Sequence, residues 1–199
     1  MTRFLLSFFL IITISLYAQE KPEGLFINSK APDFKAKDQN QNVIELKDIR
    51  KKGPVIIVFY RGYWCPYCSK ELQKLEDSLP LIKEKGAQLI VITPEKQEGV
   101  SKTIEKTKAI YSIIIDDDMK IMKAYDVAYL VDDKTVGRYK TAGIDLAANN
   151  GQKPGAIYLP VPAVYIVGKD GEIKYRFFDA DYRNQAFVKD ILNNLVGLK

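Results

Sequence analysis

A run of β-branched and aromatic residues leads directly into the only two cysteines of the chain. The run, Val55–Tyr60, has the continuous apolar character of a strand that is covered on both faces. Cys65 and Cys68 follow it, and the apolar residues Leu72 and Leu75 come next at near-helical spacing. The sequence therefore predicts a strand-to-helix turn with the cysteine pair at the start of the helix.

Pro66 is well placed to open that helix, because its missing N–H costs nothing at the first helical position. Free backbone N–H groups at a helix N-terminus favour negative charge, so a thiol held there loses its proton more easily. Since the thiolate is the reactive form, we predict that Cys65 is the attacking sulfur. Cys68, one turn into the helix, would then resolve the mixed disulfide by closing a Cys65–Cys68 bridge.

This interpretation requires sulfurs that a groove leaves within reach of solvent. Trp64 and Tyr67, which flank Cys65, suit an exposed redox site, and they equally suit packing. A permanent structural disulfide is the alternative for the pair, although a loop this short constrains little of the unfolded chain.

A zinc site is another common use of two cysteines at this spacing, and it needs about four nitrogen or sulfur ligands. The chain has no further cysteine and no histidine, which excludes a Cys/His zinc site within one chain. The acidic run Asp116–Asp118 is more simply explained as a loop that caps the helix predicted for Met119–Tyr125. The sequence therefore predicts no metal and no cofactor.

Composition favours a packed globular protein, because 47% of the residues are hydrophobic and 28% are charged. The net charge is +5, but the basic residues are dispersed among acidic ones and many lie on polar helix faces. We therefore expect solvated surfaces and no nucleic-acid partner.

The first eighteen residues have the layout of a secretory signal peptide. Arg3 precedes the nearly apolar run Phe4–Tyr17, and the small residue Ala18 is followed by polar sequence. The apolar run is shorter than the roughly 20 residues needed to span a bilayer. We predict cleavage after Ala18, export to the periplasm or the extracellular space, and no membrane association after cleavage; an uncleaved N-terminal anchor is the alternative.

Residues 19–199 read as one α/β domain in which strand and helix patterns alternate. The chain closes with a hairpin, turning at Lys169–Gly171, and an apolar helix face that begins at Phe187. Pro80 should end or kink the first long helix. Val131–Leu159 shows little periodicity, and we predict a long loop or an irregular excursion there.

These elements resemble the thioredoxin superfamily and, more narrowly, its peroxiredoxin-like branch, often labelled alkyl hydroperoxide reductase/thiol-specific antioxidant. The resemblance covers roughly residues 25–199 and rests on Ala31–Phe34, Val58–Cys68, Leu89–Pro94, Val161–Val167 and Lys169–Gly171. It implies a thioredoxin-like fold, with a central mixed β-sheet flanked by helices. It also implies that Pro162 is cis and borders the groove where a partner's disulfide docks; a trans proline at a strand edge is the alternative. The polar turn Asp38–Asn42 and the returning strand Val43–Leu46 predict, from the residues themselves, an N-terminal β-hairpin extension.

Two departures from that branch weaken a peroxidase interpretation. Typical peroxiredoxins carry a Thr where this chain has Gly62 and an Arg where it has Pro162, and those side chains hold and polarise the peroxide. Arg61, four residues before Cys65 and always charged, is the candidate to take over part of the Arg role. The alternative for Arg61 is a surface residue that pairs with an acid.

A third departure concerns proton transfer. Thioredoxins usually carry a buried acid six residues before the first cysteine, where this chain has Phe59. Glu71, on the helix after Cys68, is a candidate substitute, and the alternative is a solvated helix residue.

Three functions remain open from the sequence. The first is an exported thiol–disulfide oxidoreductase that acts on a disulfide-containing protein and is recycled by an external thiol reductant. The second is a thiol-dependent peroxidase, in which a peroxide oxidises Cys65 to a sulfenic acid and Cys68 condenses with it. The third is a non-enzymatic thioredoxin-like binding module with an inert disulfide.

Overall fold

The computed structural model describes residues 21–198. The predicted signal peptide, residues 1–18, lies outside them. Within residues 21–198, no helix has both the length and the apolar character needed to cross a bilayer.

The described residues form nine strands and eight helices. The strands are β1 (Lys35–Lys37), β2 (Val43–Glu45), β3 (Val55–Phe59), β4 (Gln88–Thr93), β5 (Ser112–Ile115), β6 (Ala128–Leu130), β7 (Tyr158–Pro160), β8 (Ala163–Val167) and β9 (Ile173–Phe178). The helices are α1 (Leu46–Ile49), α2 (Pro66–Asp77), α3 (Leu79–Glu84), α4 (Gln97–Thr107), α5 (Lys120–Ala124), α6 (Asp133–Thr141), α7 (Leu146–Asn150) and α8 (Val188–Asn194).

The centre of the fold is a mixed sheet of five strands in the order β5-β4-β3-β8-β9. β3 pairs in parallel with β4 and antiparallel with β8, so it lies in the middle of the sheet. All five residues of β3 are buried, because successive side chains enter different cores on the two faces of the sheet. Its continuous apolar sequence is therefore explained by its central position.

Helices cover both faces of this sheet. Residues of α2, α4 and α8 pack into the core on one face, and residues of α1 and α5 pack into the core on the other. β1 and β2 form a separate antiparallel hairpin near the N-terminus. The predicted mixed sheet flanked by helices, with an N-terminal hairpin extension, is confirmed.

The first long helix begins and ends as the sequence predicts. Pro66 is its first residue, and Cys65 is its N-cap. The helix ends at Asp77, and the short α3 starts with Pro80 in its first turn, where proline is tolerated. Pro80 therefore breaks the helix into two pieces.

The expectation of an irregular excursion over Val131–Leu159 is wrong. The segment contains α6 and α7 between the paired strands β6 and β7, and it has a small core of its own. No residue of α6 is fully buried, and of its side chains only Val136 and Tyr139 pack against that small core, so its apolar face is short. The overlooked signals are Asp132 and Asp145, whose carboxylates accept hydrogen bonds from N–H groups in the first turns of the two helices.

The acidic run after β5 caps a helix, as predicted. The carboxylate of Asp116 accepts hydrogen bonds from the N–H groups of Ile121 (3.1 Å) and Met122 (2.8 Å) in the first turn of α5. This capping accounts for a buried acid at the end of β5.

Candidate active site

The two cysteines form a disulfide at the N-terminus of α2, with their Cα atoms 5.3 Å apart. Cys65 is extended at φ −89° and ψ 106°, while Cys68 already belongs to the helix. The N–H of Cys68 donates to the Cys65 sulfur at 3.3 Å. One of the free donors at the helix start is thus directed at Cys65, as its predicted position requires.

The expected exposure of the pair is wrong in this disulfide form. Both cysteines are only 2% exposed and belong to the core beneath α2. Trp64 packs against that core, whereas Tyr67 is 41% exposed and its ring contacts Tyr182 edge-on at 6.0 Å. A substrate or reductant can therefore reach a sulfur only if the residues that cover the pair move.

Arg61 is not a surface residue paired with an acid, and that alternative is wrong. It is 2% exposed, and within residues 21–198 no carboxylate lies within ion-pair distance of it. The guanidinium carbon lies 5.1 Å from the Trp64 ring, 5.6 Å from Tyr139 and 4.0 Å from Tyr182. We call these three rings the aromatic cage.

The aromatic cage explains how the charge of Arg61 is tolerated inside the protein. Aromatic faces attract cations, and a guanidinium is more weakly hydrated than an ammonium group. Nη2 of Arg61 also donates a hydrogen bond to the Tyr139 hydroxyl. Since Tyr139 belongs to α6 and Tyr182 follows β9, Arg61 joins both segments to the turn that carries the cysteines.

Gly62 has a structural reason for the absence of a side chain. A Cβ at this position would lie 2.7 Å from Oε1 of Glu95 and would clash with Nε1 of the Trp64 indole. Its φ of 156° also strains any residue with a side chain. The position occupied by Thr in typical peroxiredoxins is therefore filled here by the side chains of Trp64 and Glu95.

Replacing Gly62 with alanine is expected to destabilise the fold by about 1–3 kcal/mol, because the new methyl group overpacks a closed space. The free energy of unfolding in urea measures this effect. Gly137→Ala on α6 is the matched control, since its Cβ meets no atom within 4 Å and alanine favours a helix. Equal effects of the two variants would contradict the packing explanation.

Glu71 is buried, so the alternative of a solvated helix residue is wrong. It lies one turn beyond Cys68 on α2 and is 3% exposed. Burial raises the pKa of Glu71 to about 7, although Lys74, 3.7 Å away, partly opposes that rise. Neither carboxylate oxygen has a hydrogen-bond partner among the described residues. The acid missing at Phe59 thus has a buried counterpart on α2.

Glu95 is a second buried acid at the site, and sequence reasoning missed it. It follows β4, which pairs in parallel with β3, so both strands end at the same edge of the sheet. Its two carboxylate oxygens accept the N–H of Tyr63 at 2.9 and 3.0 Å. Burial raises the pKa of Glu95 to about 7. Only the pairing of β3 with β4 places this acid beneath the turn that carries the cysteines.

The expectation of a cis bond at Pro162 is wrong, since no peptide bond among residues 21–198 is cis. Val161 and Pro162 instead join β7 to β8, and the N–H of Val161 donates to the Val127 carbonyl at 2.8 Å. Ala163 pairs with Phe59, which places Pro162 at the edge of the sheet where β3 ends. Pro162 is therefore a trans proline at a strand start, close in register to the cysteine turn.

An open cleft of about 530 Å³ runs along α2, and neither cysteine lines it. Its walls combine aromatic and charged side chains, among them Tyr67, Glu71, Lys74, Phe177, Arg183 and Phe187. The cleft thus extends from the exposed side chain of Tyr67 to the buried carboxyl of Glu71.

A family model described as the AhpC/TSA family matches residues 27–176. Thiol-disulfide oxidoreductase ResA of Bacillus cereus is 31% identical over 109 residues, covering 54% of this chain and 62% of that protein. A protein of the same name from Bacillus thuringiensis is 30% identical over 154 residues, covering 77% of this chain and 70% of that protein. Peroxiredoxin Bcp of Bacillus subtilis is 31% identical over 101 residues, covering 51% of this chain and 64% of that protein.

Solved structures show the same fold. The peroxidoxin BcpB of Mycobacterium tuberculosis superposes with a TM-score of 0.66 at 16% identity, covering 87% of this chain and 97% of that one. A peroxiredoxin 6 of Arenicola marina superposes with a TM-score of 0.69 at 15% identity, covering 86% of this chain and 72% of that one. These likenesses confirm the thioredoxin-like fold.

Proposed function

This chain belongs to the AhpC/TSA family, and we propose that it is an exported thiol–disulfide oxidoreductase that uses the Cys65–Cys68 dithiol. The observation that carries the proposal is the disulfide at the N-terminus of α2, with Cys65 as the cap and Cys68 in the first turn. Relatives named thiol-disulfide oxidoreductase and peroxiredoxin support the same class of chemistry.

The proposed reaction moves two electrons from the dithiol to a substrate disulfide. The Cys65 thiolate attacks one substrate sulfur, breaks the substrate S–S bond, and releases the other substrate sulfur, which takes up a proton. Cys68 then loses its proton and attacks the Cys65 sulfur. This second attack breaks the mixed disulfide, releases the second substrate thiol and leaves the Cys65–Cys68 bridge.

The start of α2 supports Cys65 as the attacking sulfur. The Cys68 N–H, 3.3 Å from the Cys65 sulfur, donates to it, and a helix N-terminus favours negative charge. Both effects lower the pKa of a thiol in the reduced protein. Arg61 directly precedes the turn that carries Cys65, and the aromatic cage fixes its guanidinium there. Its positive charge favours a thiolate in that turn.

Glu71 is the proposed acceptor of the Cys68 proton. Residues three apart lie on neighbouring positions of one helix face, so Glu71 and Cys68 are close on α2. A pKa of about 7 lets the carboxyl take and release a proton near neutral pH. We therefore assign Glu71 the role that a buried acid on β3 plays in thioredoxins.

The buried disulfide has consequences for recycling. An external thiol reductant must reach a sulfur that is 2% exposed, so the side chains that cover the pair have to move aside. The cleft along α2 begins at Tyr67 and offers a place for the incoming polypeptide or thiol. The substrate we propose is a protein disulfide, and the reductant is an external dithiol.

A thiol-dependent peroxidase is the second candidate, favoured by the peroxiredoxin names among relatives. The Cys65 thiolate would attack a peroxide oxygen and break the O–O bond, giving a sulfenic acid and an alcohol or water. Cys68 would then condense with the sulfenic acid and release water. The Thr and Arg that hold peroxide are replaced by Gly62 and Pro162, so we place this reaction second.

A binding module with an inert disulfide is the third candidate, and the burial of both sulfurs favours it. The two buried acids near the cysteine turn, Glu71 and Glu95, favour proton-coupled chemistry instead. A reduced protein that fails to react with any disulfide or peroxide would support the binding module.

Export is proposed from residues 1–18, with residues 19–199 forming a single redoxin domain. An exported pair would meet an oxidising compartment, so it needs a supply of electrons from a partner. Sequencing the N-terminus of the protein recovered from the periplasm or the medium tests this part, and a mature chain that starts at Gln19 is expected.

Stopped-flow kinetics of the fully reduced protein distinguish the two enzymatic candidates. We expect rapid oxidation by insulin disulfides and a reaction with hydrogen peroxide no faster than that of a free thiol. Efficient peroxide turnover with no reduction of insulin would overturn the first proposal and establish the second. Cys65→Ser serves as the control for background reactions.

A further inference from the structure

Glu95 is a buried carboxyl group whose oxygens accept a hydrogen bond from one backbone N–H in the cysteine turn. It is completely enclosed, and both of its oxygens face the amide nitrogen of Tyr63 at 2.9 and 3.0 Å. Among residues 21–198, no ion pair involves Glu95. Burying a carboxyl group without a cationic partner costs free energy, so the contact with Tyr63 is its main interaction.

Two glycines make room for the Glu95 side chain. A Cβ at Gly62 would lie 2.7 Å from Oε1 of Glu95, and one at Gly99 would lie 2.8 Å from the same oxygen. Gly99 lies inside α4, where glycine weakens a helix by about 1 kcal/mol relative to alanine. The surroundings of Glu95 are therefore shaped to hold this carboxyl against the cysteine turn.

Tyr63 is held from its other side as well. Lys106 donates to the Tyr63 carbonyl at 2.9 Å, and the Ser69 hydroxyl donates to it at 3.4 Å. Lys102 donates to the Tyr63 hydroxyl at 3.4 Å and lies over its ring. Contacts from β4, α4 and α2 thus converge on a residue two positions before Cys65.

The Tyr63 contacts reach Cys65 through one tight turn. The N–H of Cys65 donates to the Gly62 carbonyl at 3.0 Å, which closes residues 62–65 on themselves. Tyr63 lies inside this turn, so displacement of its N–H tilts the peptide that presents the Cys65 sulfur. A fixed sulfur at a helix start exchanges faster than a mobile one.

We propose that Glu95 is a positioning residue for Cys65, which fixes the turn of residues 62–65 by accepting the Tyr63 N–H. The proposal deepens the proposed function and rests on it. Glu95 acts through the backbone and touches no substrate.

The polar and charged groups that face Glu95 come from three parts of the fold. Tyr60 on the β3 side, Tyr63 in the turn, and Lys102 and Lys106 on α4 face it. Burial raises the pKa of Glu95 to about 7, while the Tyr63 N–H, the Tyr60 hydroxyl and the two lysines oppose that rise. The hydrogen bond from the Tyr63 N–H to Glu95 is therefore expected to change in strength near neutral pH, because an ionised carboxylate accepts an N–H more strongly than a neutral carboxyl group does.

Alkylation of Cys65 by iodoacetamide, measured from pH 4 to 9, tests the proposal. The full-length protein carries Cys68→Ser so that a single thiol reacts. Glu95→Ala is expected to slow alkylation at pH 7 about tenfold, since it removes a hydrogen bond to a charged acceptor. Glu95→Gln keeps an oxygen for the Tyr63 N–H and is expected to restore most of the rate.

Asp116→Asn is the matched control, because Asp116 is also a buried acid that accepts backbone N–H groups but does so at α5. It is expected to lower stability and leave alkylation unchanged. Lys106→Met keeps the test decisive if Glu95→Ala fails to fold, since it removes the hold on the Tyr63 carbonyl from an exposed position. A loss of about threefold is expected for it, with Lys83→Met on α3 unchanged.

Several outcomes would overturn the positioning role. These are a folded Glu95→Ala protein with the wild-type pH profile, a Glu95→Gln protein as slow as Glu95→Ala, or an equal loss in Asp116→Asn. Alkylation needs no physiological substrate, so this experiment is separate from the insulin assay. A protein that alkylates as expected but reduces no disulfide would refute the proposed function and leave the role of Glu95 in place.

Discussion

Cys65→Ser is expected to lower the rate of disulfide reduction by about 10³-fold or more, because a hydroxyl cannot replace the thiolate that attacks sulfur. Cys65 is the N-cap of α2, and its sulfur accepts the Cys68 N–H. Serine can keep that hydrogen bond and a similar volume. The loss would therefore come from the chemistry and not from the fold. Insulin reduction with a dithiol donor measures the rate, and a thermal melt checks the fold.

Cys68→Ser is the matched control for the order of the two attacks. It is expected to leave the first attack intact and to trap a mixed disulfide between Cys65 and the substrate, since no second thiol can release it. Mass spectrometry of the non-reduced adduct detects the trapped species. An adduct on Cys68 in the Cys65→Ser protein, with none on Cys65 in the reverse variant, would show that the two roles are exchanged.

Glu71→Gln is expected to stabilise the protein by about 3 kcal/mol at pH 8 and to have no such effect near pH 4. Burial raises the folded-state pKa of Glu71 to about 7, above the roughly 4.3 of an unfolded glutamate. The contribution to stability is fully present below the unfolded pKa, where both states hold the proton. It is lost as the pH rises through the folded pKa, because ionisation then favours the unfolded chain. Glutamine stays neutral and avoids that loss.

Urea unfolding of both proteins from pH 4 to 8 measures the difference. Glu105→Gln, an exposed substitution of the same kind on α4, is the control and should change stability little at any pH. A constant difference between wild type and Glu71→Gln across this range would show that the pKa of Glu71 is the same in the folded and the unfolded chain, so that Glu71 is ionised at neutral pH. It would also remove the basis for Glu71 as the acceptor of the Cys68 proton.

The parts of this fold that the sequence predicts well depend on neighbours along the chain. β3, the break at Pro80 and the start of α2 at Pro66 are all readable from adjacent residues. The N-terminal hairpin and the closing β8–β9 hairpin follow in the same way. The polar helices α6 and α7 were missed because they bury little, and their only local signals are the caps Asp132 and Asp145.

The site itself depends on segments far apart in the chain. Arg61 is buried because Tyr139 and Tyr182, roughly 80 and 120 residues later, close around it. Glu95 meets Tyr63 because β3 and β4 pair in parallel. The local sequence around Arg61 or Glu95 does not predict these contacts, because the burial of a residue depends on how the whole chain packs.

The amino-acid sequence by itself determined the cysteine pair, its place at the opening of a helix, and the α/β class of the domain. Those features depend on spacing within a few residues, where backbone geometry leaves few choices. Tertiary structure alone decided that the sulfurs are covered, that Pro162 is trans, and that two buried acids lie near the pair. Desolvation and contact geometry set those properties, and both arise only when distant segments pack together.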